Sequence, residues 1–183
     1  AGVGAADAAY VSASYSDLPY VAGVIALLML LVLTLALRSL VLAIKAVILN
    51  VVSLAAALGI VTWFWQQGHG STAVFSIPAT GAITFWVPVA IFSLLFGLSM
   101  DYEVFILSRM REVRDAGGST RDAVVQGLGR TGRLVTSAAL ILFLALGSLA
   151  AAPMTDLKVM ATGIGVGVLL DACLLYTSDA ADE

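Results

Sequence analysis

The chain has 183 residues, 61% of them hydrophobic and 11% charged, with a formal net charge of −3. A charged share less than half that of an ordinary water-soluble domain excludes a conventional globule and points to lipid as the solvent. The few basic residues fall in two short stretches rather than a stripe, which argues against nucleic acid as a partner, and a single cysteine, Cys173, excludes an intrachain disulfide.

A hydrocarbon layer about 30 Å thick needs roughly 20 apolar residues of helix. Five runs of that kind are expected near 18–37, 41–65, 86–108, 132–152 and 157–176. They lack a period of two, and backbone crossing lipid must satisfy its own hydrogen bonds, so the expected fold is all-α: a polytopic membrane helix bundle. Residues 1–17 precede the first run, and nothing near Ala1 reads as a signal peptide. That start is read as internal to a longer protein.

Arg38 and Lys45 flank the first tight connection, and Arg109, Arg111, Arg114, Arg121, Arg130 and Arg133 crowd the one between the third and fourth spans. The positive-inside rule puts both connections in the cytoplasm. The stretch 66–84 has neither Lys nor Arg, and the connection at 153–156 carries Pro153 and Asp156. Both are expected outside, together with residues 1–17. Trp63, Phe64, Trp65, Phe85 and Trp86 cluster at the outer ends of spans two and three, where an interfacial aromatic belt is expected. Between Gly117 and Gly132 a short cytoplasmic interfacial helix is expected, with Ser119 as its N-cap and Ala123, Val124 and Leu128 on one face.

Three acidic residues interrupt the spans: Asp101 and Glu103 in the third and Asp171 in the fifth. A carboxylate deep in a bilayer costs a few kcal/mol or more, so each needs a compensating reason. Asp101 and Asp171 lie at similar depths on helices running in the same direction, and two such acids could form a site. The bland alternative has Glu103 snorkelling toward the interface and Asp171 at the membrane edge. Gly97 and Ser99 precede Asp101, and Gly163, Gly165 and Gly167 alternate along span five. Small residues of this kind serve either close static packing or a helix able to shift beside the acid. His69 has no Cys, Asp or Glu nearby in its loop, so no metal or other cofactor is expected.

The run FGLSMDYEVFILSRMRE at 96–112 resembles the signature of the MMPL transporters of the resistance-nodulation-division (RND) superfamily. LRSLVLAIKAVILNVVSLAAALG (37–59), TGRLVTSAALILFLALGS (131–148) and GVGVLLDA (165–172) fit the same family in order and spacing. The resemblance covers about 15–172, and GLSMDYEVF suggests the second of the family's two pseudo-repeated halves. It implies that each half has one span, a large extracytoplasmic porter domain and then five successive spans. Residues 1–17 would then be the end of a porter domain, and 18–172 the transmembrane domain of a C-terminal half. The partners would be the missing N-terminal half, the porter domains, membrane lipids and a hydrophobic or lipid substrate. The resemblance maps Asp101 and Tyr102 onto the proton relay, with Asp171 matching an acidic position in the last span; Glu103 is a further candidate. After Ala172 the family pattern stops, and CLLYTSDAADE reads as a non-native tail over 173–183.

The implied function is proton-motive-force-driven export of lipids or other hydrophobic molecules across the cell membrane, without enzymatic activity. Two alternatives belong to other classes. One is a non-transporting, sterol-sensing or receptor-like relative on the same bundle. The other is an intramembrane aspartyl protease, in which two membrane aspartates share a proton. Its usual Tyr-Asp and Gly-x-Gly-Asp motifs are absent.

Overall fold

The computed structural model describes the backbone of residues 3–180. It describes the side chains of 9–174, apart from Leu37, Tyr102, Glu103, Leu107 and most positions between Thr120 and Arg130. All regular elements among these residues are helical: α1 (Val3–Leu37), α2 (Leu40–Val61), α3 (Ser71–Phe75), α4 (Trp86–Asp115), α5 (Thr120–Leu149) and α6 (Thr155–Ala180). Five stretches are long and apolar enough to cross a membrane: Ala9–Ala36, Leu40–Gln66, Trp86–Asp115, Thr131–Leu149 and Thr155–Leu174. The chain divides into two compact units, Ala1–Val47 and Ile48–Glu183.

In the first unit, α1 carries Pro19 in its interior and ends at Arg38, whose φ of +50° is left-handed. The helix is longer than the expected span, because residues 3–17 continue it without a break. Arg38 and Ser39 alone separate it from α2, and the Ser39 hydroxyl accepts the Leu42 amide at 3.4 Å.

In the second unit, α4, α5 and α6 pack against one another. The last turns of α2 and the segment just beyond it join them through Ala57, Val61 and Trp65. Lipid offers no hydrophobic penalty for separating helices, so close packing and hydrogen bonds must hold this group together. The glycines of α6 supply the packing. A Cβ at Gly163 would lie 2.6 Å from Ile91 Cδ1 and 2.8 Å from Val61 Cγ2; one at Gly167 would lie 2.6 Å from Leu95 Cδ2. A Cβ at Gly165 would meet the Phe143 ring at 3.2 Å. In this structure the three glycines are closely packed.

The pairs Thr84–Asp156, Ile91–Gly163 and Leu95–Gly167 are each 72 residues apart. α4 and α6 are therefore parallel and held in one register, the contacts stepping by about two helical turns and then one. Thr84 donates its hydroxyl to Asp156 Oδ1 at 2.8 Å at one end of this ladder.

Beyond α2 the chain makes a π-helical turn, Thr62–Gln66, and then folds back on itself. The Trp65 carbonyl accepts both the amide and the hydroxyl of Thr80, at 3.0 and 3.1 Å. Gly68 sits at φ +81° with Ala79 so near that a Cβ would fall 2.7 Å from it, so only glycine fits there. Trp65 is fully buried, stacks on Phe75 with centroids 5.0 Å apart and donates Nε1 to Thr162 Oγ1 at 2.8 Å. It is a core residue of the bundle rather than part of an interfacial belt, because the fold-back covers its ring. Trp63 remains exposed and stacks on His69, whose Nδ1 lies 3.2 Å from the Trp63 carbonyl.

Ser119 caps α5 as expected, in a reciprocal box: its hydroxyl accepts the Asp122 amide at 3.1 Å, and Asp122 Oδ2 accepts the Ser119 amide at 3.1 Å. The helix it starts is not a separate surface element. α5 runs unbroken from Thr120 to Leu149, since no proline interrupts 120–149 and the glycines there are compatible with helix. At the other end of the chain, the segment read as a tail from 173 continues α6 to Ala180.

Candidate functional site

Two faces of α4 carry the polar residues of interest. The inward stripe runs Val87, Ile91, Leu95, Ser99 and Ile106, all buried. The outward stripe runs Leu94, Gly97, Asp101, Phe105 and Ser108, all exposed. At about 100° per residue, Asp101 lies roughly 200° round the helix from Ser99. The two residues, though near neighbours in sequence, face opposite ways.

Ser99 on α4 and Ser53 on α2 both lie near the Asp171 carboxyl of α6. Ser53 and Ser99 are buried, and so is Asn50 on the same face of α2 as Ser53, one turn away. Asn50 Nδ2 has no hydrogen-bond partner among the described residues. Asp171 itself is partly buried.

The sequence-predicted residues thus separate into two places. Asp171, Ser99 and the glycines of α6 meet inside the bundle. Asp101 and Gly97 share the outward face, and nothing lies within 4 Å of a Cβ built at Gly97. Asp101 is exposed on the face of α4 opposite the buried Ser99, whereas Asp171 is partly buried. The side chains of Tyr102 and Glu103 lie outside the described ones. Ser53 and Asn50 were missed by the sequence reading. Their signal was present: two polar residues at i and i+3 in an otherwise apolar turn of α2.

At the arginine-rich end, Arg109 pairs with Glu112 at 2.6 Å and Arg111 with Asp115 at 3.5 Å. These are exposed or partly exposed pairs of low energetic weight. Among the described residues no group of three His, Cys, Asp or Glu converges as a metal site would require.

The sequence matches the MMPL family over residues 1–178. It is 40% identical over 137 residues to a putative membrane protein of Streptomyces coelicolor, covering 75% of this chain and 19% of that protein. It is 36% identical to the trehalose monomycolate exporter MmpL3 of Mycolicibacterium smegmatis, over 88% of this chain and 16% of the exporter. It is 37% identical to the heme uptake protein MmpL11 of Mycobacterium tuberculosis, over 86% of this chain and 16% of that protein. The chain spans less than a fifth of the length of each of these relatives.

Proposed function

We propose, from the premise that this chain belongs to the MMPL family of multi-pass membrane proteins, that it is part of the transmembrane motor of a proton-driven exporter of lipids or other hydrophobic molecules. One observation carries the reading: Asp101 sits exposed on the outward face of a helix built to cross a membrane. A carboxylate there cannot be left to hydrocarbon, because the charged form is far costlier in lipid than the neutral acid. Gaining or losing a proton at Asp101 therefore changes how strongly this face of α4 is drawn to a polar partner. Gly97, one turn away with open space over it, leaves room for that partner to approach.

In the intact protein the partner is a second transmembrane half, and porter domains outside the membrane convert the motion into export. Tyr102, adjacent in sequence, supplies a hydroxyl to the same relay. MmpL3, named as an exporter of trehalose monomycolate, supports a lipid-like substrate. MmpL11, named for heme uptake, supports the broader class of large hydrophobic molecules.

The test uses the full-length protein in sealed vesicles with an imposed proton gradient. Asp101→Asn keeps the side chain's shape and removes its titration. Export should be lost at unchanged membrane abundance. Near-normal export by this variant would overturn the reading.

A further inference from the structure

We propose that Trp63 and His69 form a platform for the sugar headgroup of a glycosylated lipid at the membrane surface. This rests on the reading of the intact protein as an exporter of lipid-like molecules, and names a substrate class for it.

The backbone is built to hold the pair. Trp63 lies in the π-helical turn that ends the apolar stretch Leu40–Gln66, at the level where lipid headgroups sit. Gly68 and Gly70, at φ +81° and +107°, turn the chain back so that His69 between them returns to Trp63. Both glycines are tightly enclosed: a Cβ would fall 2.7 Å from Ala79 Cβ at one and 2.9 Å from Phe64 Cε2 at the other. The His69 amide donates to the Trp63 carbonyl at 3.3 Å, and its Nδ1 lies 3.2 Å from the same oxygen. A carbonyl only accepts, so Nδ1 carries the proton, and in the neutral ring Nε2 is left as an acceptor.

The two rings are parallel within 2°, with centroids 5.0 Å apart. The imidazole takes one face of the indole, yet Trp63 is still 53% exposed, so the other face is presented to the surroundings. The negative face of an indole attracts positively polarised C–H groups. A sugar ring offers a face of such groups and a rim of hydroxyls. His69 Nε2 and the side-chain amide of Gln67, exposed one turn on from Trp63, supply acceptors and a donor for that rim. Charge points the same way. Residues 62–84 contain no Asp, Glu, Lys or Arg. The charges that α6 brings to this end, Asp156 and Lys158, are engaged by the Thr84 hydroxyl and the Phe75 ring. A neutral polyhydroxyl group matches this surface better than a phosphate does. An indole that only anchored the helix would need neither a glycine-bent loop nor a fixed imidazole, and would treat all headgroups alike.

The experiment measures equilibrium binding of radiolabelled dodecyl maltoside, dodecylphosphocholine and maltose to the full-length protein in phosphatidylcholine nanodiscs, with binding to empty nanodiscs subtracted. Dodecyl maltoside should bind about tenfold more tightly than dodecylphosphocholine, and Trp63→Ala should abolish that margin. Trp63→Tyr, which keeps a ring, should retain most of it, and His69→Ala should lose about threefold. Equal binding of the two amphiphiles, or an unchanged margin in Trp63→Ala, would overturn the proposal. Maltose bound as tightly as dodecyl maltoside would make the occupant a free sugar and overturn the lipid assignment. Should Trp63→Ala fail to accumulate, His69→Ala leaves the indole in place and still decides, since a full margin there is equally fatal. Asp101→Asn should bind dodecyl maltoside as the parent does. Normal proton-driven export by that variant would sink the carrier reading and leave the platform standing, whereas lost export with no maltoside margin in the parent would sink the platform alone.

Discussion

The indole Nε1 of Trp65 donates to Thr162 Oγ1 at 2.8 Å, joining the end of the second span to α6. The Thr162 hydroxyl directs its own proton to the Lys158 carbonyl at 2.8 Å, so its oxygen is free to accept. Phe75, from the fold-back, covers the indole on one face, and the Lys158 ammonium lies 5.5 Å from the centre of the Phe75 ring. This cap fixes the end of the bundle at which the chain turns back after α2.

Trp65→Phe keeps an aromatic ring but removes the Nε1 donor and part of the buried volume. It should cost about 1–3 kcal/mol. Denaturation of the purified protein in mixed micelles measures it. Thr162→Val, which removes only the acceptor, should cost less, and equal losses in the two variants would show that volume is not involved.

Gly167→Val places a branched side chain where Leu95 already stands, and overpacking should cost about 1–3 kcal/mol or force α4 and α6 apart. Gly97→Ala meets nothing within this chain and should be neutral or slightly stabilising by helix propensity. The same micelle denaturation ranks the two. If Gly97→Leu in the full-length protein preserves abundance while impairing export, the face beside Asp101 is in contact with a partner; unimpaired export would argue that it meets only lipid.

Ser119→Ala removes the capping box and should destabilise the start of α5 by about 1 kcal/mol. Hydrogen exchange provides the readout. The amides just after the cap should exchange faster, while those of Thr131–Leu149 stay as they were. Uniform acceleration along α5 would mean that the cap supports the whole helix.

The expected topology can be tested with single cysteines in a cysteine-free background. Ser71, at the start of α3 on the side expected to be outside, is fully buried, so Val74, 66% exposed, is the better probe of that side. Ala116 serves on the arginine-rich side. An impermeant thiol reagent added outside intact cells should label the Val74→Cys variant and spare Ala116→Cys. The opposite pattern would invert the orientation.

Most of the architecture was legible because lipid imposes so few solutions. Apolar runs of the right length must be helices, and the five expected spans differ from the observed ones mainly at their ends. Ser119 was legible as a cap because a capping box is local, with Asp122 three residues on. The belt assignment of Trp65 went astray because interfacial and interior aromatics have the same local sequence; only the fold-back of 67–85, bringing Thr80 and Phe75 onto the indole, distinguishes them. The separate surface helix went astray because arginines and glycines interrupt the apolar pattern of 119–132 without interrupting the hydrogen-bond ladder of α5.

The candidate site divides in the same way. Sequence alone determined that Asp101 and Asp171 were costly in lipid and therefore demanded partners, since that cost depends on residue type and depth. It could not determine which partners. Direction around a helix turns by about 100° per residue, so placing Asp101 outward and Ser99 inward required knowing which stripe of α4 meets α6. The tertiary structure decided that by fitting Ile91 and Leu95 over Gly163 and Gly167. The side-chain volume missing at those glycines sets the register, and the register turns Ser99 into the bundle and leaves Asp101 on the open face.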